Sequence, residues 1–451
     1  MGIIKELITA FVGERLINVM KSGTDMVVDE ICQVANNKIL EYLCIEYERN
    51  YKTKTILHRS EPIELEKFYQ PLFLYKGSEQ WEFEIRSKGS VRINTEKIAS
   101  LFSKNNCITI IGTAGSGKST LVKYLFVDTI KSNYKIPLKV ELRYLNNYSG
   151  DLMSYIKNEI IKFSEIAKSE RIIENLLNSG NFVIFLDGYD EISANKKESV
   201  TKDICKITKK YSTNKYIVTS RPFVNVDMLE NFHNYRVCDM TLDEINSFVR
   251  KQFSRTEQEL ADKIIETINN EGKETYKSFL SNPLLLSMFI ITYQSDSNIP
   301  QKRSDYYNQV FNTLYSVHDT SSKLGFVREK KTGLLKENFI DLLKRFSFKS
   351  FFSQNYTFSE EYFNTEIQSI KKDLDLTFSN DDLLFDLEVS IGILTQEGID
   401  ITYPHRSLQE YFAALFVTKL AYENKLKVYH YLYNQFNNMN IFLNYFFIFA
   451  K

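Results

Sequence analysis

The sequence predicts an α/β protein in two parts, a three-layer parallel sheet followed by a mainly helical portion, and three observations predict it. First, Cys107 to Ile111 is a short apolar run rich in β-branched residues. It leads into Gly112–Ser119, GTAGSGKS, and then into Leu121, Val122, Leu125 and Phe126 at helical spacing. Second, further apolar runs at Leu138–Leu142, Phe182–Leu186 and Tyr216–Thr219 alternate with helical stretches as far as Met240, the order of a parallel sheet with helices on both faces. Third, the strands give way to helices beyond Met240, and a short hairpin pattern recurs only near Gly392–Tyr403. Strand, glycine-rich loop fitting G-x-x-x-x-G-K-[ST], and helix in that order make a P-loop, so the fold class is that of a P-loop NTPase.

In chain order, residues 1–52 carry apolar positions at three- and four-residue steps (Ile3, Leu7, Phe11, Leu16, Val19; then Val28, Ile31, Val34, Ile39, Leu43), which predicts two helices packed as a hairpin. Residues 53–106 read as a connector and lead-in, with extended pieces at IELEKF, QPLFLY and EFEIRS and a short helix at Asn94–Phe102, and 107–240 as the nucleotide-binding core, with Tyr235–Cys238 its edge strand. Helices Leu152–Ile166, Arg171–Asn178 and Ser199–Tyr211 fit between the strands. Residues 241–335 form a helical domain opened by Thr241-Leu-Asp-Glu244, a capping box. It includes a helix at Glu274–Leu280 and Pro283 in the first turn of another, where a missing N–H does no harm. Residues 336–420 give helix, hairpin and helix, which suggests a winged-helix module, and 421–451 a short C-terminal helical segment. A stop inside the aromatic run Ile441–Lys451 suggests truncation or a last helix that packs back.

Composition narrows the function. Lysine plus arginine and aspartate plus glutamate number 57 each, so no overall field favours nucleic acid or an anionic membrane. Five cysteines without C-x-x-C spacing indicate neither a disulfide framework nor a zinc site and fit a reducing cytoplasm. Charges interrupt the N-terminal apolar stretch, which spoils a signal peptide, and no run reaches the ~20 residues of a bilayer span.

The candidate chemistry is phosphate chemistry. Backbone N–H groups from Gly112, Thr113, Ala114, Gly115, Ser116 and Gly117 to Ser119 and Thr120 would cradle a polyphosphate at the positive end of a helix. Lys118 would reach the β- and γ-phosphates and the Ser119 hydroxyl would ligate Mg2+. In FVIFLDGYDEI, Asp187 ends an apolar strand and is placed to hold Mg2+, while Asp190 or Glu191 could polarise an attacking water. Arg221 in YIVTSRP would close the neighbouring strand, where a planar guanidinium suits a γ-phosphate.

Together GTAGSGKST, FLDGYDEI, IVTSRP, SNPLLLSM and YPHRSLQEYFAALFV resemble the NACHT branch of the STAND signal-transduction NTPases, which includes animal NOD-like receptors and bacterial antiviral proteins. The resemblance runs from about Cys107 to Val417. It implies nucleotide-binding, helical and winged-helix domains closed around ADP, Pro283 near the adenine, and His405 touching the phosphate and holding the inactive state. It leaves about thirty residues after Val417, too few for the sensor repeats of many relatives.

The expected function is an ATP/ADP switch with slow Mg2+-dependent hydrolysis, acting in innate immunity as part of bacterial antiphage defence. It would open and self-associate on an unidentified trigger such as a phage protein or RNA. Two other functions fit parts of the sequence: a remodelling ATPase of the AAA type, and a nucleotide-controlled winged-helix regulator. DNA binding is not expected, because Ser407–Leu420 carries one lysine among apolar residues where a recognition helix exposes basic ones.

Overall fold

A computed structural model of the chain describes residues 8, 26–58, 61–76, 92–113, 115–160, 169–221, 226, 229–270, 280–293, 303–320, 330–397, 400–403 and 406–436. Two compact units result, Met1–Thr53 with Pro62–Met240, and Lys54–Glu61 with Thr241–Lys451.

The first unit is built on a seven-stranded sheet of β1 (Phe73–Lys76), β2 (Ile93–Asn94), β3 (Cys107–Ile111), β4 (Ile136–Glu141), β5 (Phe182–Asp187), β6 (Lys215–Ser220) and β7 (His233–Val237), in the order β2-β1-β7-β3-β6-β5-β4. Strands β3 to β7 pair in parallel. β3 is buried throughout and β5 at all but its last residue, as strands covered on both faces should be.

Two expectations change here. The sheet is mixed, not parallel throughout, and the strand around Tyr235 is interior. The stretch read as a connector supplies β1 and β2, and β1 pairs antiparallel with β7, Leu74 opposite Val237 and Tyr75 opposite Arg236. An antiparallel addition needs no crossover helix, so the strand-helix rhythm does not announce it.

Helices α1 (Met26–Tyr51), α2 (Lys118–Lys131), α3 (Ser169–Asn178) and α4 (Ala194–Lys210) belong to this unit. α2 buries Leu121, Val122, Leu125, Phe126 and Ile130, with the Phe126 ring 6.2 Å from Phe185 of β5. α1 packs on α2 and reaches the edge strand β4, where the Lys139 N–H donates to the Tyr42 hydroxyl at 2.8 Å. An outward N–H of an edge strand is thereby satisfied. The helix expected before α1 lies outside the described residues. Fully buried Asn214 ties two connections together: its Nδ2 donates to the Leu177 carbonyl at 2.7 Å, and its Oδ1 accepts from the Phe182 N–H at 3.1 Å. The start of β5 is fixed by that bond.

The second unit opens with α5 (Leu242–Lys251), where the Glu244 N–H donates to Thr241 Oγ1 at 3.3 Å and the Thr241 N–H to Glu244 Oε2 at 2.8 Å. α6 (Gln258–Asn270), α7 (Pro283–Thr292) and α8 (Arg303–Thr320) follow. The expected helix Glu274–Leu280 lies outside the described residues but for its last position. Then come α9 (Lys336–Phe352), β8 (Thr357–Phe358), α10 (Glu360–Leu374), α11 (Asn380–Phe385), the hairpin β9 (Thr395–Glu397) and β10 (Asp400–Thr402), α12 (Arg406–Thr418) and α13 (Tyr422–Phe436). β10 lies between β8 and β9, antiparallel to both. α12 packs on α9, and Gln409 Nε2 donates to Ser350 Oγ and the Asn355 carbonyl, each at 2.8 Å. Residues 441–451 lie outside the described part. Among the described residues no helix is long and apolar enough to cross a membrane.

Asn214→Ala would leave a buried carbonyl and a buried N–H without their partner. We expect a loss of about 2–3 kcal/mol in unfolding free energy, measured by urea denaturation, and an unchanged midpoint would contradict the role given to this side chain.

Candidate nucleotide-binding site

The register of the sheet assembles the site. Ile111 of β3 lies opposite Ser220 of β6, Leu186 of β5 opposite Val218, and the Gly112 N–H extends the ladder to the Ser220 carbonyl at 3.1 Å. The loop, the acids and Arg221 therefore leave neighbouring strands at the same edge.

Gly112 begins a tight loop. A Cβ there would run into Ser116 Oγ and approach Val237 Cγ2 to 3.0 Å, so no larger residue fits without displacing the loop. Gly117 caps α2 in the left-handed region, φ 87°. Lys118 Nζ donates to the carbonyls of Gly112 at 2.7 Å and Thr113 at 3.1 Å. Burial pushes its pKa down to about 8; Asp190, Asp187 and Glu191 oppose that shift and Arg221 adds to it. All four charges therefore stand within electrostatic reach of the ammonium.

The acidic turn follows β5. The Thr219 hydroxyl donates to Asp187 Oδ1 and accepts the Gly188 N–H at 2.9 Å. Asp190 takes the Arg221 N–H at 3.1 Å on one oxygen and Arg221 Nε at 3.2 Å on the other, with side-chain exposures of 8% and 11% for the pair. The Glu191 carbonyl accepts from Asn146 Nδ2 at 3.0 Å, and Arg143 Nη1 lies 4.0 Å from Glu191 Oε2. Arg143 also meets Glu141 at 2.5 Å, and Glu141 meets Lys139 at 3.0 Å. Burial alone would raise the Glu141 pKa, but Lys139 and Arg143 more than offset it and hold it at about 2.

Residues 106–256 match the family model described as the NACHT domain. This segment is a NACHT domain. No curated protein matches the chain. Solved structures similar to it include a Walker-type ATPase of Pyrococcus abyssi, 12% identical over 70% of this chain and 94% of that one, with a TM-score of 0.31. A STAND protein with a tetratricopeptide repeat sensor from Pyrococcus horikoshii is 14% identical, with a TM-score of 0.35. The alignment takes in 75% of this chain and spans 42% of the length of that one. A Cdc6 protein of Pyrobaculum aerophilum is 12% identical, with a TM-score of 0.29, over 70% and 88% of the two chains. These likenesses say nothing about function.

The NACHT domain thus brings together Gly112, Thr113, Gly115, Ser116, Gly117, Lys118, Ser119 and Thr120 with Asp187, Asp190, Glu191 and Arg221. Ala114 and His405 lie outside the described residues. Pro283 opens α7 in the second unit, after Asn282, whose Oδ1 accepts from the Leu284 N–H at 3.0 Å and the Leu285 N–H at 3.3 Å. A magnesium nucleotide suits these donors. Ser116 Oγ is buried with no partner among the described residues, and Ser119 is exposed at the mouth of the loop. No cluster of three His, Cys, Asp or Glu among the described residues could hold a metal, so Mg2+ would rely on Ser119, Asp187, water and phosphate oxygens.

Sequence reading missed Thr219, Arg143, Asn146 and Lys197, which hold the acidic turn. Thr219 lies within the TSRP motif; the other three carry no local signal.

In Gly112→Ala the new methyl must push Ser116 aside. We expect at least about tenfold weaker binding of a fluorescent ADP analogue, while wild-type affinity would show that the loop tolerates a Cβ.

Proposed function

We propose that the chain is an ATP/ADP-dependent molecular switch of the NACHT type with slow nucleotide hydrolysis. The observation that supports it most is the convergence of Asp187, Asp190, Glu191 and Arg221 on Lys118. In this reading the loop N–H groups and Lys118 bind the phosphates. Ser119 and Asp187 would hold Mg2+, which would supply neutralisation of phosphate charge. Asp190 or Glu191 orients and deprotonates the attacking water. Arg221 must leave Asp190 to meet a γ-phosphate, and this exchange of partners accounts for slow turnover.

The second unit is then the responding part. Pro283 is assigned to the adenine and His405 to the bound phosphate. The order α9, β8, α10, α11, β9, β10 supports the reading of a winged-helix module. Its helix before the hairpin, Asn380–Phe385 continued by Asp386–Ser390, carries Asp381, Asp382, Asp386 and Glu388 and no lysine or arginine, which disfavours a DNA groove. α12 is mostly buried. ADP would hold the closed form in the cytoplasm. A trigger, a phage protein or RNA, would favour ATP, opening and self-association in antiphage defence. Trigger and nucleotide together must shift the balance by ~5.5 kcal/mol to carry it from 1:99 to 99:1.

Purified protein should carry ADP identifiable by mass spectrometry, and Lys118→Ala should abolish binding of ADP and ATP. An alanine variant that still binds either would remove the assignment.

Proton linkage gives a second test. Free Lys118 loses its proton near pH 8, whereas a bound phosphate favours the ammonium. Binding therefore takes up a proton above that pH, and affinity for ADP without Mg2+ falls by up to about tenfold per pH unit. Calorimetry in two buffers of different ionisation enthalpy counts the proton. Lys118→Arg, charged throughout, should show none from this position.

A further inference from the structure

Lys197 occupies an unfavourable place for a cation. It stands in the first turn of α4, where a positive charge opposes the helix dipole. It is also half-buried, and burial pushes its pKa down to about 8 against the opposing charge of Asp190. Its contacts show what holds it there. Lys197 Nζ donates to the Tyr189 carbonyl and lies 3.6 Å from the centre of the Tyr189 ring. Tyr189, 2% exposed, sits in the turn just before Asp190 and Glu191, and its hydroxyl bonds Thr201 Oγ1 at 2.8 Å further along α4.

The charges of the region explain why such a lysine is useful. Asp187, Asp190, Glu191 and Glu141 are set against Lys118, Arg221, Arg143 and Lys197. A bound triphosphate draws Lys118 and Arg221 to itself, and Asp190 then loses its 3.2 Å partner. Two partly buried carboxylates on one short turn would repel each other without a counter-charge. Lys197 is anchored to the main chain and ring of that same turn, so its charge stays when Arg221 leaves.

We infer that Lys197 is a positioning residue for nucleotide hydrolysis, which holds the Asp190–Glu191 turn in its working geometry once Arg221 has turned to the phosphate. This rests on the nucleotide-hydrolysing function proposed above. Lys197 acts through the turn, by its contacts with the Tyr189 carbonyl and ring.

The test uses the full chain, with single-turnover hydrolysis of ATP in Mg2+ and ADP affinity measured side by side. Lys197→Met and Lys197→Gln, the second keeping a donor for the Tyr189 carbonyl without the charge, should hydrolyse at least about tenfold more slowly. Both should bind ADP within about twofold of wild type. Lys197→Arg should recover most of the rate, and Thr201→Val, which loosens the same tyrosine but leaves the charge, should hydrolyse near the wild-type rate.

Wild-type hydrolysis in Lys197→Gln overturns the inference. So does a parallel loss of ADP affinity and rate in it, or a Thr201→Val variant as slow as the methionine one. Should Lys197→Met fail to fold, the glutamine and arginine variants decide alone. A wild-type protein that neither binds nor hydrolyses nucleotide would instead overturn the proposed function and this inference with it.

Discussion

Everything at the site depends on the register of three parallel strands. Ile111 opposite Ser220 and Leu186 opposite Val218 bring the loop, Asp187 and Arg221 to one edge. Neighbouring strands lie ~4.8 Å apart, so side chains from three distant stretches need no long reach to meet. A one-residue slip of β5 would turn Asp187 to the other face and remove its bond to Thr219. The slip is opposed at both ends, by Asn214 at Phe182 and by Thr219 at Asp187 and Gly188. Between them lies a run of buried apolar side chains whose burial would be lost together.

Within that frame the charges are already matched. Lys118 is held by two loop carbonyls, and Asp190 is paired with Arg221 at low exposure. Removing both members of such a pair from water is costly, and breaking it leaves an uncompensated charge. In the proposed function, nucleotide loading would be an exchange of partners: phosphate oxygens would replace main-chain carbonyls at Lys118 and a carboxylate at Arg221. The free energy of the exchange is a difference between two well-paired arrangements. Small changes in the surroundings can tip it, which is the property a switch requires.

How much of this was legible in the sequence follows from where each requirement is written. The phosphate loop was legible because the chemistry itself demands glycines, a lysine and a hydroxyl at fixed spacing. β5 was legible because burial on both faces demands an unbroken apolar run, and its last residue had to be the acid. β1 was legible only as an extended piece, QPLFLY; its place in the sheet was not, since its partner comes from over 150 residues later. That omission made β7 look like an edge. Lys197 was illegible for a different reason: in ANKKES it looks like a solvated helix start, and only the folding of the acidic turn back onto α4 gives it Tyr189. Arg143 and Asn146 sit in a short 3-10 turn after β4 with no pattern to mark them.

The N-terminal segment illustrates the same distinction between periodicity and attachment. Helical spacing marks Ile39, Leu43 and Tyr47 as one face, and all three are buried. Periodicity does not say against what. Bonds supply the answer: Tyr42 takes an N–H from edge strand β4, Lys123 of α2 reaches Thr53 at 3.1 Å, and Lys131 of α2 lies 4.9 Å from the centre of the Tyr51 ring. Lys131 also meets Glu66 at 2.7 Å. These ties join the end of α1 to the helix that begins at Lys118. The last turns of α1 cannot shift against the phosphate loop's helix without breaking them, and this part of the N-terminal segment falls in the same compact unit as that helix.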